Sequence, residues 1–244
     1  MLRMILMTFS LIVAVAVISA ANLLPINNST TGEIANRLPV LFTPANYVFF
    51  ILPIIYFFLA YWLFKFPKTQ TNINYQIINR RVFLFIMTSL FSVIWIFLWH
   101  YEFFNLSIIV MAALLTTLIV FYFTYPNNNN AFSGRVPIAI YLGWIVITFI
   151  VNISYVLTLH EWNGWGLSLP LWTVIYLTIA AAIALHFVYH YRDIAFSLVF
   201  VWVFIGIAVK NGFEELFVSA ASLFLAVVIM FFILFPKKES ISEK

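Results

Sequence analysis

Two histidines, His186 and His190, stand four residues apart in an otherwise apolar part of the chain. In a helix this spacing places both imidazoles on one face, where they could ligate a metal ion or a haem iron. Such a site normally has three or four protein ligands, and no further ligand follows at a suitable spacing. The neighbouring Arg192 and Asp193 are typical of a polar turn. The sequence therefore predicts no metal site.

The rest of the chain offers little catalytic chemistry. It has no cysteine, which excludes thiol nucleophiles and cysteine-ligated metals. It also lacks a recognisable nucleophile–base pair, a phosphate-binding loop and two carboxylates at an interpretable spacing. We therefore predict no catalytic residues and favour a binding protein over an enzyme. The histidine pair leaves a membrane enzyme as an open alternative.

Polar groups inside apolar runs are the better candidates for a binding site. The amide of Asn152 costs free energy in an apolar environment unless it is hydrogen-bonded, so it should face another helix or a cavity. Trp95, Trp144 and Trp202 lie well inside apolar runs, where an indole N–H favours a position facing a neighbouring helix or a ligand. Five further tryptophans lie near the ends of such runs and predict an interfacial aromatic belt: Trp62, Trp99, Trp162, Trp165 and Trp172.

Composition places these residues in a membrane protein. Hydrophobic residues make up 65% of the 244 residues and charged residues only 8%, against about 45–50% and about 25% in soluble domains. The net charge of +4 has no basic cluster, so no nucleic-acid partner is expected. The solvent of this chain must be membrane lipid.

Eight apolar runs are long enough to cross a bilayer, and backbone hydrogen bonding in lipid requires them to be helices. The sequence predicts an all-α polytopic transmembrane bundle. The expected spans are Ile5–Ala21, Tyr47–Phe64, Val82–Trp99, Leu106–Tyr125, Val136–Leu159, Leu171–Phe187, Ile194–Val209 and Leu216–Phe235.

Charge sorting supports this count. With both termini in the cytoplasm of a plasma-membrane protein, only Arg37 and Lys210 of the 12 basic residues fall outside. Asp193 then lies in a polar cytoplasmic turn, and no charge needs to enter the membrane interior. An alternative is that the first span is a signal peptide cleaved near Ala20, which would leave seven spans.

Three stretches of the chain form a recognisable pattern. The lead to the second span reads Phe42-Thr43-Pro44-Ala45-Asn46-Tyr47-Val48-Phe49, the second stretch is Ser92 to Trp95, and the last runs from Val136-Pro137 through Trp144 to Asn152. Together they resemble the translocator protein (TspO/MBR) family in its longer, bacterial tryptophan-rich sensory form. The first resembles the family's aromatic–proline motif, with Ala45 replacing its second proline, and the second is similar to the third-helix Asn-x-x-Trp, with Ser92 replacing the asparagine.

The resemblance implies a five-helix bundle over residues 1–160 with an aromatic cavity for porphyrins and other flat apolar compounds. Residues 161–244 would add three transmembrane helices and a short cytoplasmic tail. The cavity residues expected from the motifs are Pro44, Asn46, Tyr47, Phe49, Trp95, Trp144 and Asn152. A tetrapyrrole is then a possible ligand rather than a resident cofactor, and a homodimer is possible.

These expectations favour a membrane sensor or regulator that binds a small, hydrophobic, planar ligand. A transporter of a lipophilic compound is an alternative, although ion-coupled transport usually needs carboxylates within the membrane. A membrane enzyme acting on a lipid or porphyrin, and a scaffold that docks a partner through its last three helices, also stay open.

Overall fold

The computed structural model describes residues 1–24, 26–70, 73–126 and 129–235, and the predicted tail beyond residue 235 lies outside these ranges. Within them the chain forms nine α-helices, of which eight are long and apolar enough to cross a membrane. The predicted all-α bundle of eight spans is thereby confirmed. The helices are α1 (Leu2–Leu23), α2 (Thr31–Ala35), α3 (Ile51–Thr69), α4 (Tyr75–His100), α5 (Phe104–Tyr122), α6 (Val136–Leu159), α7 (Leu169–Tyr191), α8 (Ile194–Asn211) and α9 (Leu216–Leu234).

The bundle is built by neighbouring helix pairs that share one hydrophobic core. Helix α1 packs mainly on α4, α4 packs on α5, and α5 packs on α6. Helix α6 also contacts α8, and α9 packs on both α7 and α8. The largest core cluster contains residues from both sides of position 160. The last three spans therefore pack directly on the first five, and the predicted division into two parts stays a prediction.

Asp193 lies in the predicted turn between α7 and α8 and forms a buried ion pair there. The Asp193 side chain is only 3% exposed and lies 3.4 Å from Nε of Arg135, whose side chain is fully buried. The hydroxyl of Tyr122 donates to Asp193 Oδ2 at 2.8 Å. Asp193 also caps α8 by accepting the Phe196 backbone N–H at 3.0 Å. The sequence around Asp193 does not indicate this burial, because the partner Arg135 lies at the N-terminus of α6, far away along the chain.

Two tryptophans assigned to an aromatic belt also lie in the core. Trp62 is completely buried and its Nε1 donates to the Tyr125 hydroxyl at 2.9 Å. Trp99 is 2% exposed and packs against Phe104 and Tyr155. Position near the end of a span does not determine which face of the helix a ring occupies, which is why the belt assignment fails for these two.

Helix α8 approaches the segment that leads into α3 (residues 41–50, called the lead-in segment) unusually closely. The Ala45 N–H donates to the Gly206 carbonyl at 3.1 Å. A Cβ at Gly206 would overlap Val48 Cγ2 and would lie 3.3 Å from Pro44 Cβ. Only glycine therefore allows the two backbones this separation.

We predict that Gly206→Ala destabilises the protein by about 1–3 kcal/mol, because the added methyl group must displace the lead-in segment. The midpoint of thermal unfolding in detergent measures this. Gly32→Ala is the matched control, since its Cβ would meet only one atom, at 4.0 Å. Equal midpoints for the two variants would contradict the close approach.

We also predict that Arg135→Met lowers the free energy of unfolding by about 3–5 kcal/mol, because Asp193 would be left as a buried, uncompensated charge. The same melting assay compares it with Arg80→Met, which removes an exposed cation on α4. A similar small loss in both variants would show that the buried pair contributes little.

Candidate functional site

A groove of about 1120 Å³ lies between α1 and α3, at the end of the bundle where α1 finishes. Helix α1 packs mainly on α4, whereas α3 packs mainly on α6, and α1 and α3 contact each other over only part of their length. The groove volume lies slightly above the range of about 300–1,000 Å³ that is typical of small-molecule sites. Its apolar walls are Val15, Ile18, Leu23, Phe49, Phe50, Leu52, Pro53, Tyr56, Phe57 and Ala60.

Two much smaller cavities lie behind this groove in the centre of the bundle. The first, of about 60 Å³, is bordered by Tyr56, Trp95, Tyr141 and Trp144 among others. The second, of about 30 Å³, extends from Pro44 to Asn152. Both spaces are much smaller than typical small-molecule sites, which measure about 300–1,000 Å³, and are too small for a flat macrocycle.

Phe49 is the wall common to all three spaces. It sits in the 3₁₀ turn Asn46–Phe50 that precedes α3, and its ring packs edge-to-face on Trp144 with centroids 5.7 Å apart. Pro53 follows within the first turn of α3, where its missing N–H costs no hydrogen bond. The lead-in segment thus positions one aromatic ring between the open groove and the bundle centre.

The predicted site residues divide between these spaces. Asn46 lines only the groove. Trp95 and Trp144 line both central cavities. Pro44 and Asn152 line the smaller of the two. These residues and Phe49 therefore form a continuous series from the groove to the centre.

Tyr47 is placed differently from the other six. Its ring packs edge-to-face on Trp202 of α8, with centroids 5.3 Å apart, and it lines none of the three spaces. Trp202 in turn donates its indole N–H to the Val48 carbonyl at 3.2 Å. Tyr47 therefore holds the lead-in segment against α8 rather than facing the groove.

The amide of Asn152 joins α6 to α5. Its Nδ2 donates to Ser107 Oγ at 3.0 Å, and Ser107 Oγ lies 3.2 Å from Asn152 Oδ1. The same hydroxyl is 2.7 Å from the Phe104 carbonyl, and one hydroxyl has a single proton to donate. Asn152 is thus a contact between helices that also presents an acceptor oxygen to the small cavity.

Hydrogen-bonding groups around the central cavities include one donor without a partner. Trp95 Nε1 is buried and has no hydrogen-bond acceptor among the described residues. Close by, Ser92 Oγ and the Tyr141 hydroxyl form a short hydrogen bond, and the rings of Tyr56 and Tyr141 lie 6.4 Å apart. Tyr141 was not predicted as a site residue, because nothing in the motif distinguishes it from other tyrosines on apolar helix faces.

The rim of the groove is polar. Thr30 caps α2 reciprocally with Glu33, and these hydrogen bonds from the Thr30 backbone and side chain lower the pKa of the Glu33 carboxyl. Asn36 donates to Asn46 Oδ1 at 3.1 Å and accepts from Lys210 Nζ at 2.7 Å. One feature of the sequence points to Lys210, because it is one of only two basic residues predicted on the outer side of the membrane.

A model of the TSPO-like protein family matches residues 4–235, nearly the whole chain. The chain belongs to the TSPO-like protein family. No curated protein and no solved structure matches it. The family match continues through α7, α8 and α9 of this TSPO-like protein, beyond residue 160, where the motif resemblance ends. Its eight membrane-capable helices make this TSPO-like chain a multi-pass membrane protein.

The histidine pair of this TSPO-like protein stays at the opposite end of the bundle. The rings of His186 and His190 lie 4.2 Å apart, as their spacing predicts. Among the described residues they do not belong to any group of three or more His, Cys, Asp or Glu that could hold a metal. They also line none of the three spaces described above.

We predict that Asn152→Ala and Ser107→Ala each destabilise the protein and that the double variant loses less than their sum. Coupling energies of polar pairs between membrane helices are about 0.5–1.5 kcal/mol. Thermal unfolding of the four proteins gives the coupling. Thr116→Ala, which removes an exposed hydroxyl bonded within α5, should change the midpoint little. Strict additivity would contradict a direct pair.

Proposed function

We propose that this TSPO-like protein binds a small, hydrophobic, planar ligand of the porphyrin or tetrapyrrole type and acts as a membrane sensor or regulator. The observation that carries the proposal is the groove of about 1120 Å³ between α1 and α3. Its walls are largely apolar and aromatic, and its polar groups are confined to one rim. Such a site gives affinity through flat apolar contact and orientation through a few polar groups.

The ligand lies in the groove rather than in the bundle centre. The cavities beside Trp144 and Asn152 measure about 60 and 30 Å³, which is too little for a ring system of this size. Direct contacts therefore come from Phe49, Asn46 and Tyr56. Trp95 and Trp144 support Phe49 from behind, and Tyr47 fixes the lead-in segment on α8.

Sensing follows from the position of Phe49. A ring stacked against it from the groove changes its packing on Trp144, and through the lead-in segment that change reaches α8 at Gly206. Helix α8, from the C-terminal part of the chain, is thus linked to the proposed binding site. Ligand binding in the groove therefore changes the packing of the bundle, and the ligand does not have to pass through it.

We predict that Ser19→Phe weakens porphyrin binding about tenfold, because its ring fills the groove from the α1 side. The assay is quenching of tryptophan fluorescence during titration of the purified protein with protoporphyrin. Ala16→Phe is the matched control, because Ala16 is exposed on the same helix but does not line the groove.

Equal affinity of the Ser19→Phe and Ala16→Phe proteins would place the ligand elsewhere and contradict the proposal. No saturable quenching of the unaltered protein would exclude porphyrins altogether. Both variants change exposed positions on α1, so their melting midpoints should match that of the unaltered protein and confirm that the fold is kept.

A further inference from the structure

The two cations at the groove end of the bundle have different surroundings. Arg37 is neutralised by Glu102, with Nη1 and Oε1 2.6 Å apart. Lys210, at the last turn of α8, lines the groove, and among the described residues its Nζ donates one hydrogen bond, to the amide oxygen of Asn36 at 2.7 Å. Among the described residues no carboxylate lies within ion-pair distance of Lys210.

Lys210 and Asn46 on this rim both have N–H groups left to donate. An ammonium has three N–H groups, and Asn36 takes one of those on Lys210. The Asn46 carboxamide uses its oxygen to accept from Asn36, which leaves its NH₂ group available beside the groove. Two side chains on one rim therefore offer N–H groups to an acceptor, and one of them carries a positive charge.

The carboxylate on the same rim does not cancel this arrangement. Glu33 Oε2 accepts the Thr30 N–H at 2.7 Å, and the Glu33 side chain also interacts electrostatically with Arg37. Its charge is thus directed toward its own helix terminus, α2, where a carboxylate is favourable. Lys210 is left as the charged group that faces the groove without an opposite charge.

We propose that Lys210, with Asn46 as a second donor, binds a carboxylate of the ligand, so that the groove selects anionic amphiphiles over neutral ones of the same shape. The apolar body lies along α1 and α3, and the acid group lies at the rim. From Leu52 to Ala60 the α3 wall extends about 12 Å at 1.5 Å per residue, which accommodates a flat ring system. This inference rests on the proposed function and names its ligand class.

The experiment compares protoporphyrin IX with its dimethyl ester, which has the same ring and no charge. Binding is followed by tryptophan quenching in nanodiscs of zwitterionic lipid. The unaltered protein should bind the diacid about tenfold more tightly than the ester, because a charge-assisted hydrogen bond is lost in the ester. Added salt should reduce this preference.

Three variants identify the residue responsible. Lys210→Gln keeps a donor for Asn36 but not the charge, and should weaken the diacid about tenfold while leaving the ester unchanged. Lys210→Arg should retain the preference. Lys68→Gln, an exposed cation at the far end of α3, should have no effect. Equal weakening of both compounds by Lys210→Gln would indicate a structural role and overturn the inference.

An anionic lipid headgroup has the same chemistry and is tested separately. The comparison is repeated with phosphatidylglycerol in the nanodiscs, where an unchanged preference supports a carboxylate ligand. Loss of the preference would mean that lipid phosphate occupies the site and would overturn the assignment. If Ser19→Phe weakens both porphyrins but Lys210→Gln weakens neither, only this inference fails; if Ser19→Phe affects neither, the proposed function fails.

Discussion

The separation between α8 and the lead-in segment determines the geometry of the groove. Glycine at position 206 lets the two backbones approach until a carbonyl of α8 accepts an N–H from Ala45. Asn211 adds a second connection by donating to the Leu41 carbonyl at 2.9 Å. These contacts fix where α3 begins, although α8 comes more than 140 residues later in the sequence. The orientation of Phe49, and with it one wall of the groove, depends on a helix that does not belong to the first five spans.

A gap between two helices is unusual in a water-soluble core, where an apolar void of this size would collapse or fill with side chains. In a membrane, acyl chains solvate apolar surfaces nearly as well as neighbouring side chains do, so the gap between α1 and α3 has little cost. Exposed rings such as Phe50 and Phe57 on the groove wall are compatible with that solvent. A flat hydrophobic ligand would exchange for lipid at this surface.

The eight spans could be predicted because hydropathy and backbone hydrogen bonding in lipid leave few alternatives. The side-chain contacts between parts of the bundle that are far apart in sequence could not be predicted. Asp193 lies in the polar turn that its sequence neighbours predict, but they do not indicate its buried partner, Arg135, at the N-terminus of α6. Phe49, Trp144 and Asn152, which the motif singled out as candidate site residues, all line the smaller central cavity. The motif did not indicate the groove itself, because an empty space depends on helix tilt and has no residue type of its own.

The buried pair between α6 and α8 also bears on how the chain is assembled. Arg135 leaves the ribosome at the start of α6, whereas Asp193 follows only after α7 has been made. The Arg135 guanidinium also donates from Nη2 to Asn130 Oδ1 at 2.5 Å and to the Tyr191 carbonyl at 3.0 Å. The complete set of contacts therefore exists only once both α6 and the α7–α8 connection have been made, which ties the first five spans to the last three at this end of the bundle.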